Sequence, residues 1–315
     1  MVCLYHSAFI LTPFFPSVTS LLDIGQEGVY VFFVISGMVM PWSMEKIGYR
    51  ISDFFTFLAK RIVRLQPPLV LAACIIVLTS WKMFNTESQS GWELLAASAT
   101  LTAPLFNLPW VNNIYWTLFV EMQYYIYIAI AYPLLTHSSI MRRSLIIVLL
   151  LALSFTSYGM APIVAKSNLP FHMPVFLMGY YLFMRYKGRI SELEFWIGMT
   201  ACTAACALLV GFVHHLGFRI VATATTTALI IRFTRKGWKL LSSIGEVSYS
   251  LYLMHWPIIS TLCFFMNENR KTGEGSLLVF GAIQIIAVLF AFLFYYMIEK
   301  PALAWSKRIT FERSN

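Results

Sequence analysis

Residues 28 to 68 read GVYVFFVISGMVMPWSMEKIGYRISDFFTFLAKRIVRLQPP, and this stretch decides the class of fold. An apolar run ends in a basic, aromatic-rich turn carrying Lys46, Arg50, Lys60, Arg61 and Arg64, then re-enters apolar sequence at Pro67-Pro68. Hydrocarbon and aqueous surface are both written into it. The rest of the chain repeats the pattern: hydrophobic residues make up 59% of 315 positions and charged residues 12%, against roughly a quarter charged in soluble domains. Apolar stretches of about 20 residues, enough to cross a bilayer core, recur throughout. The expected fold is all-α, a polytopic integral membrane protein of about ten transmembrane helices, forming a single membrane domain over residues 1–315.

Outward from that turn, the second span covers Ile24 to Trp42 and the third Pro67 to Trp81. Residues 82–113 form a polar extracytoplasmic or interfacial segment. Later spans are expected at Ile114 to Leu135, Ser144 to Met160, Phe171 to Met184, Phe195 to Val213, Phe218 to Ile231, Leu241 to Phe265 and Ser276 to Ile298. Residues 1–15 read as a first helix whose opening turns are missing, because about 15 residues are too few to cross alone. The net charge of +9 would suggest nucleic acid in a soluble protein, but here it reports topology. Of the 23 Lys and Arg residues, 18 fall in alternate loops and five (Lys82, Lys166, Arg219, Arg270, Lys271) in the others. This bias predicts cytoplasmic N- and C-termini and an Arg61 turn on the same side. The five cysteines all lie in apolar segments and read as packing residues, so neither disulfides nor a metal site is expected.

Ionisable groups inside spans cost at least about 2.5 kcal/mol each at mid-membrane and are functional candidates for that reason. Glu121, in NIYWTLFVEMQYYIYIAIAYP, sits about two turns below the outer end of its span. It is either a catalytic carboxylate or one that pins a neighbouring helix by pairing with Arg or His. His6 in the first helix can accept a proton at physiological pH, the alternative being a core histidine bonded to backbone. His255, in SYSLYLMHWP, precedes a helix-loosening Pro257. His137, His172, His214 and His215 read as solvated or interfacial. Arg61 and Arg64, three apart, share a helix face and can clamp phosphates or simply anchor to anionic lipid. Gly28, Ser36 and Gly37 are small residues that permit close helix approach. Glu299 and Pro301 read as a helix terminator.

His6, GVYVFFVISG, the R-x-x-R pair at Arg61 and Arg64, WTLFVE (116–121) with Tyr124 and Tyr125, IGEVSYSLYLMHWP (244–257) and EKP (299–301) occur in one order along the chain. In that order they resemble the acyltransferase-3 family of membrane acyltransferases. The resemblance implies transfer of an acyl group, usually acetyl, from cytoplasmic acetyl-CoA to a sugar hydroxyl at the outer face of the inner membrane. The acceptor would be an envelope glycan such as O-antigen or exopolysaccharide. No bound cofactor is implied, and the partners are acyl-CoA, the glycan and membrane lipid, without nucleic acid. It raises His6 and Glu121 as catalytic residues, Arg61 and Arg64 as acyl-CoA ligands, and Ser36, Tyr249 and His255 as the substrate path. Two departures stand out: the family's arginine ahead of the first-helix histidine would precede Met1, so either the start codon is called late or the protein is shortened there, and Tyr30 occupies a position where aspartate is common. A carrier of lipid-linked sugar or small anions, and a catalytically inactive relative, are the opposing readings.

Overall fold

The computed structural model describes residues 1–79, 90–157, 167–213, 217–234, 239–266 and 272–311. Lys82, Lys166, His214, His215, Arg270 and Lys271 lie outside them. All regular structure among the described residues is helical. In order the helices are α1 (Val2–Ser7), α2 (Pro16–Leu22), α3 (Gly28–Lys46), α4 (Phe54–Thr79), α5 (Gly91–Ala99), α6 (Tyr115–Leu135), α7 (Ile140–Ser154) and α8 (Leu169–Tyr186). They continue with α9 (Glu192–Val213), α10 (Gly217–Phe233), α11 (Lys239–Glu246), α12 (Ser248–Phe265), α13 (Gly273–Phe294) and α14 (Lys300–Arg308). Five helical stretches among the described residues are long and apolar enough to cross a membrane: Pro16–Lys46, Ile51–Leu78, Tyr115–Leu135, Glu192–Val210 and Gly273–Arg308. The other expected spans fall on shorter or more polar helices. Large apolar side chains point outward from the long helices, as with Leu277, Leu278, Ile285, Leu289 and Leu293 on α13. A surface of that kind is suited to lipid rather than water.

The structure moves two expected boundaries. Only residues 47–53, with Arg50, form a turn; Lys60, Arg61 and Arg64 lie in the first half of α4. The helix starts earlier because Asp53 accepts from the Arg50 backbone N–H at 2.8 Å and closes a cap just ahead of Phe54. It runs on through Lys60, Arg61 and Arg64 because long basic side chains can lie along apolar surface and keep their heads polar. Pro67 and Pro68 then sit inside the helix rather than at its start. At the far end, Glu299-Lys300-Pro301 does not terminate the last span. A π-helical turn at Tyr295–Glu299 widens the helix, and α14 continues with Pro301 in its first turn, where its missing N–H costs nothing.

The helices cluster into two compact units, each threaded by separate parts of the sequence. One comprises Met1–Gln26, Ala59–Tyr115 and Lys236–Phe311. In it α12 packs along α13, and Ile10, Ile259, Cys263, Val279 and Ile283 form a shared apolar core. The chain's two ends are tied in by polar contacts: Gln284 donates to Ser7 Oγ at 2.8 Å, and Lys60 donates to the carbonyl oxygens of Ser306 and Ile309 at 2.9 and 2.5 Å.

The other unit comprises Glu27–Leu58 and Trp116–Arg235, with Glu312–Asn315 assigned to it outside the described residues. Its axis is α8, where every residue from Phe171 to Met184 is buried. A helix apolar all round has to be central. Helix α3 lies directly against it, and Gly37 and Gly179 mark the closest approach. A Cβ on Gly37 would stand 2.1 Å from the Phe176 carbonyl oxygen, and one on Gly179 2.1 Å from that of Val34. Phe176 is stacked between Phe33 and Tyr124, at centroid separations of 4.8 and 4.0 Å. The start of α8 is fixed from α6: the Gln123 side-chain amide donates to Ser167 O at 2.9 Å and accepts from Leu169 N at 3.1 Å. This satisfies backbone groups that a helix start would leave open. Gln123→Leu is expected to lower stability by about 1–3 kcal/mol, since both partners lose their bonds where water is scarce. Thermal unfolding of the detergent-purified protein checks this.

Candidate active site

In the first unit the candidate residues gather around α12. His6 is half-buried on the last turn of α1, and its ring centroid lies 5.3 Å from that of His255 and 5.5 Å, edge-on, from Trp256. His255 is 1% exposed. Its Nδ1 lies 2.7 Å from the Tyr252 carbonyl oxygen and 3.2 Å from that of Leu251. Those acceptors require Nδ1 to carry the proton, so Nε2 presents a lone pair. Nε2 is itself buried and has no hydrogen-bond partner among the described residues. Pro257 removes a donor one turn after Leu253, so the backbone around the pair is that of a loosened helix.

One to two turns earlier on α12, Tyr249 donates to Leu65 O at 2.8 Å, next to Arg64 on α4. Ser250 donates to Glu299 Oε2 at 2.6 Å. Arg64 acts electrostatically on Glu299, and its Nε is buried without an acceptor among the described residues. From Tyr249 to His255 is six residues, or about 9 Å along the helix axis at 1.5 Å per residue. Helix α12 therefore carries a polar group beside the arginine and a second one beside His6, at two heights of a single rod.

Glu299 is 3% exposed, a buried acid that the sequence reading passed over because it abuts Lys300 and Pro301 and looks terminal. Its signal is the uninterrupted apolar run before it together with the serine it bonds on another helix.

In the second unit Glu121 Oε1 accepts from Ser36 Oγ at 3.1 Å and from the Tyr125 hydroxyl at 2.5 Å. The structure thus places Ser36 in contact with Glu121, on the residue next to Gly37, where α3 comes against α8. His172 corrects the expectation of a solvated residue: it is fully buried. Trp116 stacks on its ring at 5.7 Å, and Phe33, Phe171 and Tyr30 surround it at 5.1, 5.0 and 5.8 Å. Tyr30 is one wall of this aromatic cage. Among the described residues no group of three His, Cys, Asp or Glu side chains is placed to hold a metal, and none of the five cysteines forms a disulfide.

A chain whose regular structure is all helical among the described residues, which presents apolar side chains outward and keeps histidine, carboxylate and guanidinium groups inside, is a multi-pass membrane protein. Its sequence matches the acyltransferase-3 family, described as an acyltransferase domain, over residues 1–296, and the chain belongs to that family of acyltransferases. It is 26% identical to the O-acetyltransferase OatA of Staphylococcus aureus (strain NCTC 8325 / PS 47), over 88% of this chain and 52% of that protein. It is 25% identical to BcsY of Komagataeibacter xylinus, which carries the name of a membrane-bound transacylase, over 90% of this chain and 78% of that protein. The chain spans about half the length of the Staphylococcus aureus relative. No solved structure matches it.

Proposed function

We propose that the chain is a membrane O-acyltransferase of the cytoplasmic (inner) membrane, moving an acetyl group from cytoplasmic acetyl-CoA to a hydroxyl of an envelope glycan such as O-antigen or exopolysaccharide. The observation that carries this is the His6–His255 pair. In the proposed reaction the acceptor hydroxyl gives its proton to His6 as its oxygen attacks the thioester carbonyl. The tetrahedral intermediate collapses with cleavage of the C–S bond, and the imidazolium returns the proton to the departing thiolate. The products are the sugar ester and the free coenzyme thiol. His255, its Nδ1 committed to backbone carbonyls, puts a second imidazole ring against the group that becomes cationic.

Arg61 and Arg64 supply cations for the coenzyme's phosphates on one face of α4. The 18-to-5 division of Lys and Arg supports the cytoplasm as the side they face, with both termini there and about ten helices crossing. Glu121, already holding Ser36 and Tyr125, has lone pairs left for acceptor hydroxyls. Tyr249 and His255 border the route. The relatives' names support this reading, one being an O-acetyltransferase and the other a transacylase. Family membership sets the carrier reading aside.

The test uses membranes containing the protein, acetyl-CoA labelled in the acetyl group and the host's envelope glycan, scored for label on base-labile esters. Transfer is expected. Converting Arg61 and Arg64 together to Gln should raise KM for the donor by roughly tenfold or more, with a smaller change in kcat, as loss of phosphate contacts shared by ground and transition states predicts. Label reaching no glycan from acetyl-CoA, while another acyl-CoA serves, would replace acetyl. No transfer from any acyl-CoA would favour an inactive relative.

A further inference from the structure

The second unit holds a cleft of about 480 Å³, a size typical of small-molecule sites. It shares no residue with the site described above. Its walls come from α3, α8 and α10: Met38, Leu182 and Ile231 are apolar, while Arg185, Arg232, Tyr186 and Thr234 are polar. Both arginines lean on one carboxylate, Glu192 at the start of α9. Arg185 donates to it through Nε, and Arg232 Nη2 reaches its two oxygens at 2.9 and 3.2 Å. Two cations share one anion, which leaves the cluster a net positive charge. The Arg232 Nε is buried with no acceptor among the described residues. Arg232 is held in place by the rings of Phe195 and Phe233, 5.8 and 5.6 Å from its guanidinium carbon. The rim beside the cleft is of the kind found at the level of lipid headgroups: Tyr186 packs on Trp42 at 4.8 Å, and Lys187 lies over the same Trp42 ring at 4.6 Å.

We infer that this cleft binds the headgroup phosphate of an anionic membrane phospholipid, with Arg185 and Arg232 as phosphate ligands and the Met38, Leu182 and Ile231 wall against the start of an acyl chain. The chemistry required is phosphate recognition by preoriented guanidinium groups. The apolar wall continuous with it favours a lipid over free phosphate. In this arrangement Glu192 is a competing anion that the lipid phosphate partly displaces.

That competition gives a test with opposite signs. The full chain, purified in detergent, is titrated with dihexanoyl phosphatidylglycerol, dihexanoyl phosphatidylcholine, inorganic phosphate and coenzyme A, and bound ligand is counted by native mass spectrometry. Phosphatidylglycerol is expected to bind in preference to the other three. Arg185→Gln and Arg232→Gln should each weaken it by roughly tenfold, the scale of one charge-assisted contact, and Glu192→Gln should tighten it several-fold by freeing both guanidinium groups. If the ion pairs served the fold alone, Glu192→Gln and the arginine variants would shift thermal unfolding alike and leave lipid binding unchanged, which would overturn the inference. Equal binding of phosphatidylcholine, or of inorganic phosphate, would overturn it too. So would loss of coenzyme A binding in Arg232→Gln, since the cleft would then belong to the acyl donor.

Discussion

His6→Ala is expected to abolish acyl transfer while leaving the protein inserted and folded. The histidine lies on a six-residue helix and is only half-buried, so its ring contributes little to the core formed by Ile10, Ile259 and Val279. A positioned general base contributes about 10² to 10⁴-fold, and a loss of that size in kcat with an unchanged unfolding midpoint separates chemistry from packing. His6→Gln should fail equally, because an amide fills the space but takes no proton. His255→Gln is the more informative partner. Its side chain can still meet the backbone carbonyls of Leu251 and Tyr252 but brings no imidazole ring against His6, so a partial loss confined to kcat is expected. If His6→Ala transfers label as fast as the unmodified protein, another group is the base.

The second large effect is one of sterics. Gly37→Ala puts a methyl group 2.1 Å from the Phe176 carbonyl oxygen, and Gly179→Ala does the same against Val34. Both obstacles are backbone atoms, which no rotamer change can move, so α3 and α8 must separate. Overpacking costs typically about 1–3 kcal/mol, and a clash with main chain on a buried central helix is expected at the upper end or beyond. Since Ser36 adjoins Gly37, separation also pulls Ser36 from Glu121 and lowers activity. The two substitutions should be far from additive, because once the helices have parted the second methyl meets open space. Gly245→Ala is the control: nothing lies within 4 Å of its added Cβ, and alanine in a helix is neutral or slightly stabilising. Thermal unfolding of the four proteins decides it, and a stable Gly37→Ala protein would contradict the packing described.

These cases show where the sequence was readable. Span edges marked by aromatic and basic residues were legible: α6 was expected at Ile114 to Leu135 and occurs at Tyr115–Leu135. The start of α4 was not, because Lys60, Arg61 and Arg64 suggest a loop to any rule that counts charge, whereas the helix tolerates them through their long stems. Pairwise facts were out of reach. Gly37 announces close packing but not that Gly179, 142 positions on, is its counterpart. His172 sits between Pro170 and Pro174 and looks like a span end, since the cage that buries it is assembled from Tyr30, Phe33 and Trp116 on other helices. His6 and His255 could each be singled out as ionisable groups in apolar surroundings, but nothing in their spacing said that their rings lie 5.3 Å apart.

The interleaving of the two units sets an order on synthesis. Every helix of the unit holding Ser36 and Glu121 has been synthesised by Arg235. The unit holding His6 waits for the stretch from Lys236 to Phe311, whose α12 supplies His255 and whose Gln284 closes on Ser7 across 277 positions. The histidine pair is thus among the last things this chain can make. Any accident that ends translation early, a stop codon or a frameshift after residue 235, leaves half of the helical framework able to assemble and no proton acceptor beside His6.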